Sequence, residues 1–174
     1  MRSTLAEDVK ASLRVVPNFP KPGILFQDVA PVLANPRLFE RCVEAMAAPF
    51  EGRVDKVVGI ESRGFILGAP LALHLGVGFV PLRKMGKLPG ALLREEYALE
   101  YGTATLEIQA DALRPGDRVL LVDDVLATGG TLAAAARLMA RAHAQAEGAS
   151  LLLEIGALNG RAAVPFDPHV ILTV

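Results

Sequence analysis

Two adjacent acids, Asp123 and Asp124, stand a few residues ahead of a glycine pair, Gly129 and Gly130, flanked by the hydroxyls of Thr128 and Thr131. The apolar run Val119–Val122 precedes them and an alanine-rich segment follows, so the order reads as buried strand, acidic pair, glycine turn and helix start. Glycines can take backbone angles closed to other residues, which lets the consecutive amides of Ala127 to Thr131 point at one anion at a helix N-terminus. Two carboxylates would repel a bare phosphate, but they can accept hydrogen bonds from sugar hydroxyls beside it. A ribose 5-phosphate meets both requirements. ATP-binding and dinucleotide-binding loops fit less well, because neither a Gly-Lys-Ser/Thr ending nor a Gly-x-Gly-x-x-Gly turn is present here.

Two further clusters could handle phosphate. Ser62 and Arg63 follow the apolar strand Val57–Ile60, which puts a cation and several amides at the sheet's carboxyl edge, where ligands of open α/β sheets gather. Arg83, Lys84, Lys87 and Arg94 concentrate positive charge on one short stretch broken by Gly86, Pro89 and Gly90. Such a stretch could neutralise a phosphate-bearing ligand.

The acidic pair and its Ala-Thr-Gly-Gly-Thr loop resemble the signature of the type I phosphoribosyltransferases, which bind 5-phosphoribosyl 1-pyrophosphate. Other stretches resemble the adenine-specific members of that family: Asn18–Phe26 (NFPKPGILF), Gly59–Phe65 (GIESRGF), Arg83–Gly90 (RKMGKLPG) and Glu96–Gly102 (EYALEYG). These motifs occur in family order over most of the chain. The resemblance implies transfer of the phosphoribosyl group to adenine, giving AMP and pyrophosphate in purine salvage. It implies phosphoribosyl binding by Asp123, Asp124, Ala127, Thr128, Gly129, Gly130 and Thr131, and pyrophosphate binding by Ser62, Arg63, Arg83, Lys84, Lys87 and Tyr101. It places the base near Leu25, Phe26 and Arg63, and makes Glu100 the group that exchanges a proton with the purine. Mg²⁺ held mainly through the substrate and a homodimer are also implied. Gln27 departs from the pattern, since relatives generally carry a basic residue between the phenylalanine and Asp28. Two alternatives stay open: an enzyme for another purine base, and a regulator that binds the donor without turnover.

The elements that must position these groups follow from pattern. Thr4 and Glu7 have capping-box spacing ahead of the apolar stripe Leu5, Val9 and Leu13, and the helix should end before Pro17. Pro17, Pro20, Pro22 and Gly23 then make an irregular arm. Asn35 and Pro36 open a second helix that buries Cys42. From Lys56 onward strand-like and helix-like segments alternate: strands at Val57–Ile60, Phe79–Leu82, Val119–Val122 and Leu151–Ile155, helices at Phe65–Leu75 and Thr131–Ala146. Lys84–Arg94 breaks the rhythm and Thr103–Ile108 reads as a returning strand. The expectation is one α/β domain over residues 1–174: a central, mostly parallel sheet flanked by helices, a small hood, a helix and base-covering arm over residues 1–34, and a flexible flap over 83–102.

Composition agrees with one folded domain, because 174 residues at 52% hydrophobic content can bury one substantial core. A net charge of −1 without a basic, aromatic-interleaved window gives no nucleic-acid surface. A single cysteine rules out an intrachain disulfide framework and points to a reducing, cytoplasmic setting. His74, His143 and His169 lack ligand spacing, and no apolar run is long enough to span a bilayer.

Overall fold

Alternating apolar runs that must be covered on both faces dictate a three-layer arrangement. A computed structural model of the chain shows it, describing residues 3–98 and 102–174. Helix α1 (Leu5–Ser12) leads into strands β1 (Arg14–Pro17) and β2 (Leu25–Asp28), then α2 (Ala30–Ala34) and α3 (Pro36–Ala47). The alternating part comprises β3 (Lys56–Ile60), α4 (Arg63–Leu75), β4 (Gly78–Lys84), β5 (Leu92–Ala98), β6 (Thr103–Gln109), β7 (Arg118–Leu126), α5 (Gly130–Arg141), β8 (Gln145–Glu154) and β9 (His169–Thr173). Among the described residues the main sheet has seven strands in the order β5-β6-β4-β3-β7-β8-β9. The pairs from β4 through β9 are parallel, and β6 and β5 extend the edge antiparallel.

The strand faces alternate between two cores, as a period of two requires. Val58, Ile60, Val119 and Leu121 pack with Leu132, Leu138 and Met139 of α5. Val57, Leu120 and Val122 pack with Leu38, Met46, Leu67 and Leu71 of α3 and α4. Cys42 lies wholly buried in this second core, and burial pushes its thiol up to about 11. Both caps read from sequence are present: Thr4 and Glu7 exchange a reciprocal pair of hydrogen bonds, and Asn35 Oδ1 accepts from the Leu38 amide at 3.2 Å.

Several boundaries depart from the sequence expectation. The arm is a β1–β2 hairpin pairing Arg14 with Asp28 and Pro17 with Leu25, so only Asn18–Ile24 is irregular. Strand β7 runs on to Leu126, because β8 keeps pairing with it as far as Leu126↔Glu154; the two acids therefore lie within the strand. Helix α5 stops at Arg141, and residues 145 and 146, expected to be helical, begin β8. The left-handed backbone at His143 (φ 57°) turns the chain between them. Part of the segment Lys84–Arg94 is strand, since β5 starts at Leu92.

The parallel strands read in sequence order give 2-1-3-4-5, with the reversal between β3 and β7. Ligands of open α/β sheets bind outside the carboxyl ends of strands at that reversal. The segments leaving β3 and β7 carry Glu61–Arg63 and Ala127–Thr131.

Candidate active site

A cleft of about 510 Å³ opens at this point, lined by Leu25, Phe26 and Gln27 from β2, by Glu61, Ser62 and Arg63, by Lys84, and by Asp123, Asp124, Ala127 and Thr131. Thr128, Gly129 and Gly130 line a smaller adjoining recess of about 80 Å³ with Ala127 and Thr131. The three groups read from sequence as base, pyrophosphate and phosphoribosyl sites thus face one space. Arg83 and Lys87 approach it from the end of β4 and the following turn but are held by Glu61. Glu100 and Tyr101 lie outside the described residues.

The Ala127–Thr131 loop has a specific backbone requirement at one glycine. Gly129 has φ 83° and caps α5, and a Cβ there would stand 2.3 Å from the Gly160 carbonyl oxygen. The contact is reciprocal, because a Cβ on Gly160 would stand 2.3 Å from the Ala127 carbonyl oxygen. Gly130, by contrast, is the first residue of the helix, and among the described residues the nearest atoms stand 3.8 Å from its Cβ position. Of the glycine pair, Gly129 alone uses positive φ. Gly160 supports the loop in this way although its segment, Leu158–Arg161, carries no decisive chemistry in the sequence, and Arg161 holds that segment. The Arg161 guanidinium binds Glu154 through Nε at 3.0 Å and Nη2 at 2.9 Å, and also donates to Asp167 and to the Pro168 carbonyl.

The acids are partnered unequally. Asp124 is 5% exposed and takes Arg63 Nε in an ion pair. The Arg63 guanidinium also lies 5.7 Å from the centre of the Phe26 ring, linking the acid pair to the arm. Asp123 Oδ1 accepts the Asp124 amide at 2.9 Å. Though part of its surface reaches the cleft, Asp123 is enclosed by protein, and that burial together with the neighbouring Asp124 charge holds its carboxyl well above the usual range. The first turn of α4 packs directly on this strand, since a Cβ on Gly64 would stand 2.6 Å from the Val122 carbonyl oxygen. The Glu61–Ser62 peptide is cis.

Glu61 is the second supporting residue missed as a site group. It pairs with Arg83 at 3.3 Å through both Nε and Nη2, with Lys87, and with the Lys84 amide at 3.0 Å. Burial opposes ionisation, but these hydrogen bonds from Lys87, Arg83 and the Lys84 amide outweigh it and hold the carboxyl at about 2. Lys84, in contrast, is exposed and lines the cleft, and its ammonium makes no ion pair among the described residues. Arg94 Nε donates to the fully buried Glu107 at 2.7 Å, and Gly86 donates its amide to the same carboxylate at 2.8 Å, fixing β5 and the turn after β4 to β6. Among the described residues no three His, Cys, Asp or Glu side chains are grouped as a metal cage, and no helix is long and apolar enough to cross a membrane.

Comparison with known proteins agrees with this geometry. Residues 29–158 match the phosphoribosyl transferase domain family. An adenine phosphoribosyltransferase of Acidothermus cellulolyticus is 57% identical over 162 residues, 92% of each chain. This chain belongs to the adenine phosphoribosyltransferase family. The crystal structure of a family member from Rhodothermus marinus superposes with a TM-score of 0.94 at 51% identity, covering 99% of this chain and 100% of that one. A Saccharomyces cerevisiae member, solved with an imino-altritol bisphosphate and adenine, gives a TM-score of 0.89 at 42% identity over 95% of this chain and 96% of that one. The type I fold and the family's transferase class both follow.

Proposed function

We propose that this adenine phosphoribosyltransferase family member transfers the phosphoribosyl group of 5-phosphoribosyl 1-pyrophosphate to adenine, forming AMP and pyrophosphate in purine salvage. The observation that carries this reading is the convergence of the acid pair, the glycine loop and the Arg63 loop on one cleft at the sheet's reversal point. The 5-phosphate is assigned to the amides of Ala127–Thr131 and the hydroxyls of Thr128 and Thr131. Asp123 and Asp124 accept the ribose hydroxyls, and their negative charge favours the cation-like ring as the bond from C1 to pyrophosphate oxygen breaks and the bond to the base nitrogen forms. The bond-breaking electron pair leaves with pyrophosphate. Glu100 is assigned the proton exchanged with the purine.

The cations divide into two groups on their present partners. Lys84 is available to pyrophosphate directly, whereas Arg63 must leave Asp124 and Arg83 and Lys87 must loosen from Glu61. Ribose hydroxyls arriving at Asp124 replace one of its hydrogen bonds and so lower the cost of releasing Arg63 toward the leaving group. Leu25, Phe26 and the guanidinium of Arg63 offer the base an apolar face with a polar edge, and the Ser62 side of the loop after β3 lies beside the leaving group.

Mg²⁺ fits this donor set through substrate oxygens, since two acids, with no further ligand side chains grouped about them among the described residues, suit a hard ion that keeps waters and phosphate ligands. Bound there, it would neutralise developing pyrophosphate charge. A homodimer and a cytoplasmic location complete the reading, the latter supported by the single buried thiol. The test is AMP formation from adenine, donor and Mg²⁺, run beside guanine and hypoxanthine, with Glu100→Ala as control. Turnover confined to adenine and sharply reduced in the variant is expected; donor binding without turnover of any base would refute the assignment.

A further inference from the structure

Strand β5, which leads toward Glu100, lies against the helix that begins at the phosphate loop. The alternation of β5 turns Leu93, Glu95 and Tyr97 toward α5. Arg137 Nε donates to Glu95 at 2.6 Å, Arg141 Nη1 donates to it at 3.2 Å, and Arg141 also binds the Arg94 carbonyl. At the far end of the strand Tyr97 is 8% exposed, with its hydroxyl 3.3 Å from the Thr131 hydroxyl. The Ala98 carbonyl oxygen and the Tyr97 ring edge both lie 3.8 Å from the Cβ position of Gly130. The phosphate loop and the approach to Glu100, two positions beyond Ala98, are therefore in contact.

We propose that Tyr97 is a positioning residue that couples occupancy of the phosphate loop to strand β5, so that seating a 5-phosphate on Thr131 fixes the chain that leads into Glu100. The inference rests on the proposed role of the Ala127–Thr131 loop. Each hydroxyl carries one proton and two acceptor lone pairs, so in the empty fold either Thr131 or Tyr97 can donate to the other. A phosphate dianion has no proton to give, and Thr131 must donate to it. Thr131 is then left as an acceptor and Tyr97 as the donor, which makes a single directed chain from Tyr97 through Thr131 to the phosphate. Bonds aligned in this way polarise and strengthen one another. The ion pairs at Glu95 hold the strand laterally, while the Tyr97 hydroxyl is the group whose bonding changes with the ligand.

Tyr97→Phe keeps the ring and removes the link. Hydrogen exchange of residues 92–98 and 127–132, with and without saturating ribose 5-phosphate, reads both ends of it. In the parent chain ribose 5-phosphate should slow exchange in both stretches. In Tyr97→Phe it should still protect 127–132, with affinity within about threefold, but no longer protect 92–98; kcat should fall about three- to tenfold while the KM for adenine stays put, the scale of one lost hydrogen bond. Glu95→Gln serves as the control for a merely loosened strand and should retain the ligand-dependent protection of 92–98. Should Tyr97→Phe misfold, Thr131→Val breaks the same bond from the other side and should abolish the protection of 92–98 at saturating ligand. Parent-like protection of 92–98 in Tyr97→Phe would overturn the coupling. Failure of ribose 5-phosphate to protect 127–132 in the parent chain would instead overturn the phosphate-loop assignment, and the coupling with it.

Discussion

Replacing Gly129 by alanine tests the construction of the proposed phosphate loop at its tightest point. The φ of 83° costs an L side chain roughly 1–2 kcal/mol. The new Cβ would also stand 2.3 Å from the Gly160 carbonyl oxygen and 2.9 Å from Ala163 Cβ. Reaching an ordinary contact near 3.4 Å requires the two loops to part by roughly 1 Å, because the obstacle is backbone and cannot rotate away. Overpacking of this kind costs about 1–3 kcal/mol. The sum of about 2–5 kcal/mol corresponds to a fall in Tm of roughly 5–15 °C for a chain of this size. A shift of ~1 Å in a substrate-holding group can cost about 100-fold in rate, so kcat/KM for the phosphoribosyl donor should fall on that order. Thermal melts and initial rates across donor concentration would measure both. Gly160→Ala should give the same phenotype through the reciprocal contact, whereas Gly130→Ala, with 3.8 Å of clearance, should leave Tm unchanged or slightly raised. A Gly129→Ala protein that melts with the parent and keeps its donor KM would refute the reasoning.

Asp123→Asn should separate stability from function. Burial and the Asp124 charge raise the Asp123 pKa in the fold, so the folded state binds a proton more readily than the unfolded chain, and stability falls as pH rises from the ordinary 3.8 through the raised value. The amide should therefore raise the melting temperature of the empty protein at neutral pH while donor binding weakens, and the thermal gain should shrink as pH drops toward 3.8. Glu61→Gln has the opposite sign. The depressed pKa stabilises the fold fully above 4.5 and is lost as pH falls toward about 2, so the variant should be less stable than the parent at pH 7 and converge with it in acid. It should also raise the KM for the donor by releasing Arg83 and Lys87 from their present orientation; an unchanged KM would mean that this orientation does not matter to binding. Arg161→Met leaves the buried Glu154 without its guanidinium. A loss of about 2 kcal/mol in denaturant melts and a higher donor KM should follow if the Gly160 segment supports the phosphate loop.

The parts of this site that were legible in the sequence are those determined by local backbone chemistry. An apolar run, two acids and a glycine turn carry their own requirements within a dozen residues, and the loop stands where those requirements place it. Element ends were less legible because they depend on distant partners. The apolar signal of β7 stops at Val122, yet hydrogen bonding to β8 is indifferent to side-chain polarity and carries the strand through both acids to Leu126. The alanines after Arg141 favour helix, but the pairing of Gln145 with Arg118 and of Ala146 with Val119 prevails over that propensity. Charge partners were the least legible. Glu61 is separated from Arg83 and Lys87 by 22 and 26 residues, and no local rule joins them. The parallel register supplies the missing signal: Ile60 lies beside Leu82, so the next residue of each strand brings Glu61 to Arg83. In a parallel pair whose strands both end at the ligand edge, the charged residue that follows the last paired position of one strand should be matched with the residue that follows it on the neighbour. That rule, applied to β3 and β4, turns a surface acid in the sequence into the group that arrays the cations of the flap.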